Sequence, residues 1–202
     1  MQHLPLGMLV ILLSLFSACK QAPQNNTAQL DQQGMWANSV AELKTLNVSG
    51  PEIDELSKAH DAGLTDPSCV AMIKLARTRQ QPFKDGQNIA DLLSAGISEQ
   101  TVLELAHMNQ LGIWAGEARV LRLAGLSDKV ILAVAQRRSK GLPVLSGEKL
   151  GDLKNSGASE ATILDFVQKG ITGKEADEYI AQRQRASGGH SFVYQGHGRK
   201  KS

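Results

Sequence analysis

A short motif returns along most of this chain: apolar residues three apart, then glycine, then an apolar residue, then serine or threonine. Four segments carry it without gaps, from Val40 to Ser49, Ile89 to Ser98, Ala118 to Ser127 and Leu150 to Ser159. Three more follow it, from Leu56 to Thr65 around Gly63, Leu105 to Trp114 around Gly112, and Ile163 to Thr172 around Gly170. Each part has a physical reading. Apolar residues three apart mark the buried stripe of a helix. Glycine, or Asn47 in the first copy, sits where the helix stops and the backbone turns left-handed. The next apolar residue folds back on the helix just completed, and Ser or Thr caps the following one. Ser49 with Glu52 and Thr172 with Glu175 have capping-box spacing.

A longer period lies beneath the motif. The segments Ala76 to Phe83 and Gln136 to Val144 are equivalent, each carrying an arginine pair and a proline, Pro82 or Pro143. Residues 47–107 therefore match residues 108–168 at an offset of about 61, and a third copy starts near Ala176 and breaks off. Helices this short are marginal alone and must bury their stripes on neighbours. Aromatics are only 4% of the chain, so Leu, Ile, Val and Ala fill the core, which suits closely packed short helices. No segment of the body alternates with period two. The expected fold is all-α: tandem short helical hairpins stacked as a small solenoid-like or orthogonal bundle array.

The first eighteen residues hold no Lys, Arg, Asp or Glu, and Leu4 to Phe16 is nearly all apolar. The run is shorter than the ~20 residues a membrane-spanning helix needs. It ends in the small pair Ser17-Ala18, the layout of a cleaved export signal. Leu15-Phe16-Ser17-Ala18-Cys19 resembles the lipobox of bacterial lipoprotein precursors. That resemblance implies cleavage before Cys19, a diacylglyceryl group on its thiol and attachment to a membrane of the cell envelope. Lys20 in place of Asp resembles the sorting signal for the outer membrane in enterobacteria. The expected organisation is a signal peptide over 1–18, a flexible Gln- and Asn-rich tether over 19–35, a helical-repeat body over 36–186 and a disordered basic tail over 187–202.

Charge is balanced overall, 22 Lys+Arg against 20 Asp+Glu. From residue 183 onward there are basic residues and no acidic ones, so the positive character belongs to the end of the chain. Two readings remain open for the arginines Arg77, Arg79, Arg137, Arg138, Arg183 and Arg185. They serve helix C-termini, where the dipole favours cations, or they form a basic stripe that, with Arg199, Lys200 and Lys201, meets an anionic ligand. Lys169 to Ile180, with Gly170-Ile171-Thr172-Gly173 at its corner, resembles the helix-hairpin-helix motif of DNA-binding proteins. There, backbone N–H groups at the second helix start hold a phosphate.

No nucleophile elbow, zinc-protease helix or phosphate loop occurs, and the histidines lack ligand spacing. No enzyme activity, cofactor or metal is expected. Cys69, among Val70, Met72 and Ile73, reads as a small buried hydrophobe. These features favour a lipid-anchored binding or scaffold protein with a protein partner. The alternatives are an envelope-tethered binder of nucleic acid or anionic polymer, acting through the helix-hairpin-helix-like corners and the basic tail, and, third, an enzyme with an unrecognised site.

Overall fold

The structure is a computed structural model that describes residues 27–112 and 114–186. Its eleven helices are α1 (Ala28–Gln32), α2 (Ala37–Thr45), α3 (Gly50–Asp61), α4 (Asp66–Thr78), α5 (Gly86–Ser94), α6 (Glu99–His107), α7 (Trp114–Leu123), α8 (Asp128–Ser139), α9 (Gly147–Asn155), α10 (Glu160–Lys169) and α11 (Gly173–Ala186). There is no strand among the described residues.

Every helix from α1 to α10 stops at one residue of positive φ: Gly34, Asn47, Gly63, Gln80, Gly96, Asn109, Gly125, Gly141, Gly157 and Gly170. These positions follow one another at 13 to 17 residues, and the whole pattern returns after 61 or 62. At nine of them the next N–H bonds back to the carbonyl five residues earlier, as in Ile97 to Leu92 (3.1 Å) and Gln110 to Leu105 (2.8 Å). This is the Schellman closure. The apolar residue after the stop is buried at Val48, Leu64, Ile97, Leu126 and Ala158.

The sequence misplaces one stop. The corner expected at Gly112 lies at Asn109, which takes the left-handed conformation while Gly112 does not. Asparagine tolerates that region because its short polar side chain bonds locally. Two further stops, Gln80 and Gly141, divide the long intervals that hold Pro82 and Pro143. The body also begins earlier than expected. α1 lies within the segment 19–35 read as tether, and Leu30 and Met35 are buried.

The helices form two rows. Odd helices α1, α3, α5, α7, α9 and α11 pack in succession, and so do even helices α2, α4, α6, α8 and α10. Each odd helix up to α9 also pairs with the even helix after it. The result is an array of helical hairpins closed by α11. One core runs from Leu30 to Ala176 between the rows. Leu43, Leu56, Ile73, Leu92, Leu105, Leu121, Leu153 and Ile163 are wholly buried within it. α11 buries only Ala176, so its outer face is polar and closes the array.

Candidate functional site

The even helices end along one edge, and arginines tie those ends together. Arg77, at the end of α4, donates Nε to the Leu46 carbonyl (3.0 Å) and Nη2 to that of Asn47 (3.3 Å), at the end of α2. Arg79 donates Nη2 to the carbonyls of Ala106 (2.5 Å) and His107 (3.1 Å), at the end of α6. Arg137 on α8 donates to Gln168 (2.8 Å) on α10 and to Pro143 (3.1 Å). In the odd row Arg183 on α11 donates to the Gly157 carbonyl (2.7 Å) after α9. The last carbonyls of a helix carry its negative pole, so each guanidinium caps a neighbouring helix. Arg185 bonds within its own helix, to Ala181.

Glu52 lies at the centre of one such tie. Its carboxylate accepts from Arg77 Nη1 (2.6 Å) and Nη2 (2.9 Å), Ser49 N and Oγ (both 2.9 Å), and Phe83 N (2.9 Å). Burial alone would push its pKa up. The hydrogen bonds from Arg77, Ser49 and Phe83 outweigh burial and hold it at about 2, down from 4.5. Arg77 is correspondingly held above its ordinary value by Glu52. In the second half, Arg138 stands where Arg77 does. It pairs with Glu117 (2.6 Å) and lies 5.9 Å from the ring centre of Trp114, which takes the place of Glu52.

The opposite edge is acidic and also committed. Asp66 on α4 accepts from Trp36 N (2.6 Å) before α2. Glu99 on α6 accepts from Thr65 N (3.1 Å) and Oγ1 (2.6 Å) before α4. Asp128 on α8 accepts from Ser98 N (3.2 Å), and Glu160 on α10 bonds Ser127 Oγ. Each carboxylate thus caps the helix that precedes its own in the row. Asp66 also meets His60 Nε2 at 2.9 Å. Burial works to raise Glu99, but bonds from Ser68 and Thr65 hold it below its ordinary value.

The resemblance at Lys169 to Ile180 falls on the α10–α11 corner. Gly170 is left-handed there, and Thr172 caps α11 with a complete box. The Glu175 carboxylate accepts from Thr172 N (2.7 Å), and Thr172 Oγ1 accepts from Glu175 N (3.3 Å). Bonds from Thr172 hold Glu175 below its ordinary pKa. A carboxylate therefore occupies this helix start.

Cys69 is buried without a disulfide, and burial, then the charges of Asp66 and Glu99, push its thiol up to about 12. That is the inert form of a cysteine. No metal-binding cluster of His, Cys, Asp or Glu occurs among the described residues. None of the described helices is long and apolar enough to cross a membrane. Cys19, Arg199, Lys200 and Lys201 lie outside the described residues.

The exposed large apolar side chains among the described residues are Trp36, Val120, Leu123 and Leu142. On α7, Val120 (49% exposed) and Leu123 (70% exposed) lie three residues apart on one face. At the arginine edge, a cleft of about 320 Å³ opens between α4, α6 and the linker that contains Pro82 and Phe83. No protein-family model, curated protein or solved structure matches the chain.

Proposed function

We propose that this chain is a lipid-anchored cell-envelope protein, held by a diacylglyceryl group on Cys19, whose helical body works by binding another protein. The observation that carries the binding role is the exposed pair Val120 and Leu123, in the middle of the odd row. Large side chains left out of a core next to each other mark contact surfaces. The charges of the body support the same reading. Arg77, Arg137, Arg138 and Arg183 already serve carbonyls and carboxylates, so little of the cationic edge is left for a polyanion.

Palmitate-analogue labelling of wild type and Cys19→Ala tests the anchor; equal labelling would refute it. A photo-crosslinking residue at position 123 tests the surface. A discrete protein adduct should form in intact envelopes and disappear with Val120→Asp. An adduct pattern identical to that from position 54, on the exposed face of α3, would refute the surface. The alternative, a binder of nucleic acid or anionic polymer, rests on Arg185 and the tail residues Arg199, Lys200 and Lys201. Salt-sensitive retention of the full chain on DNA, lost when those four are changed to Glu, would favour it.

A further inference from the structure

The cleft at the arginine edge has apolar walls, Met72, Leu75, Phe83 and Leu111, and a polar rim of Arg79, Lys84 and Asp85. The second half of the body repeats this framework 61 residues later, as the stops Gln80 and Gly141, and Asn109 and Gly170, show. There the place of Ala76 is taken by Arg137. Its guanidinium bonds the carbonyls of Pro143 (3.1 Å) and Gln168 (2.8 Å) and lies where a Cβ on Gly170 would be. Ala76, Pro82 and Asn109, the counterparts of Arg137, Pro143 and Gly170, all line the cleft. A volume that a side chain fills in one half is open in the other.

The capping role of Arg137 is not lost from the first half. Arg79, three positions after Ala76, bonds the His107 carbonyl, the counterpart of Gln168. Moving the arginine empties the cleft and still satisfies the end of the neighbouring helix.

We propose that this cleft binds a small monocarboxylate with an apolar body. Its volume lies at the lower end of the ~300–1,000 Å³ of small-ligand pockets, which combine apolar walls with few polar groups. The rim carries two cations against one anion. Arg79 spends Nη2 on the α6 carbonyls and has further N–H donors in its planar fork. Lys84 is exposed and adds a second cation. A carboxylate head there makes charge-assisted hydrogen bonds while its apolar part lies on Met72 and Leu75.

The test uses the full chain in non-ionic detergent, labelled with ¹³C at the methionine methyls and titrated with hexanoate. The Met72 methyl should shift saturably and that of Met35 should not. Ala76→Arg, which copies the second half, should weaken binding about tenfold or more. Lys84→Ala should weaken it about threefold, and hexylammonium should give no saturable shift. The proposal is overturned by the absence of a saturable Met72 shift, by equal binding of hexylammonium, or by unchanged affinity in both variants. A peptide with a free C-terminal leucine that binds about tenfold tighter than hexanoate would assign the cleft to a chain end and overturn the small-acid assignment.

Discussion

Arg138 stands over the ring of Trp114 at the junction where, one repeat earlier, Arg77 grips the carboxylate of Glu52. The two halves share a backbone plan and hold this junction with different chemistry. One pairs a partly exposed guanidinium with a buried carboxylate, the other uses an indole face and a more exposed pair with Glu117. Removing one partner of a buried pair leaves an uncompensated charge, at a cost of about 3–5 kcal/mol. A cation–π contact of this kind contributes about 0.5–2 kcal/mol. Arg77→Ala should therefore destabilise the body by about 3 kcal/mol and Arg138→Ala by about 1 kcal/mol. Urea titration followed by circular dichroism measures both. Equal losses would show that the carboxylate at Glu52 gives no special weight to the first junction.

Glu52 should also set an acid dependence. Its folded-state pKa of about 2 lies below the ordinary 4.5. A depressed carboxylate stabilises the fold fully above the unfolded value and loses that contribution as pH falls through the folded value. The window is thus pH 4.5 down to 2, and the contribution is roughly 3 kcal/mol. Denaturation midpoints measured across this window should fall steeply in wild type. The fall should be shallower in Glu52→Gln, which starts from lower stability at neutral pH.

Gly86 and Gly147 occupy matching places at the starts of α5 and α9 but differ in clearance. A Cβ on Gly86 would overlap the carbonyl of Glu55, a backbone atom that cannot swing away. On Gly147 it would meet Glu117 Cγ at 3.3 Å, a side-chain atom that can. Gly86→Ala should cost about 3 kcal/mol or prevent folding, and Gly147→Ala about 1 kcal/mol or less. A reversed order in thermal melting would refute the close approach of α5 to α3.

The left-handed stops make a third comparison. Gln80 holds φ of 54° and Asn109 holds 58°, both without glycine. Gln80→Gly should stabilise the body by about 1 kcal/mol, and Asn109→Gly by less, because asparagine already tolerates the region. Gly112→Ala should be nearly neutral, since its Cβ would meet open space at ordinary φ. Gly96→Val, at φ of 82°, should cost 1 kcal/mol or more, by about the opposite sign of the Gln80 gain.

The all-helical plan and most corners could be read from the chain because glycine at a left-handed stop is visible in sequence. Gln80 and Asn109 were not, since side chains that merely tolerate that conformation carry no signal, and Gly112 nearby drew the motif three residues too far. Leu30 and Met35 lie among Gln, Asn and Thr, so composition hid α1. The arginines were visible as recurring residues, and one of the two readings placed them at helix ends. Which helix end each one reaches depends on the stacking of alternate helices. Arg77 meets Leu46, and Arg79 meets Ala106, in opposite directions along the same row. No local pattern distinguishes these. The cleft was invisible for a related reason, because it is defined by an alanine where the repeat elsewhere has an arginine.

The acidic ladder gives the chain a direction in time. Thr65 at the start of α4 is capped by Glu99, Ser98 by Asp128 and Ser127 by Glu160, so each cap comes from residues some thirty positions later. A chain delivered N-terminus first holds each even helix start open until the next hairpin has emerged. Assembly then follows delivery with a constant lag of one hairpin. Among the described residues of the even row, α10 alone starts without such a later partner: Ser159 bonds Thr162 within its own first turn. The end of the body is the one place where the lag can close.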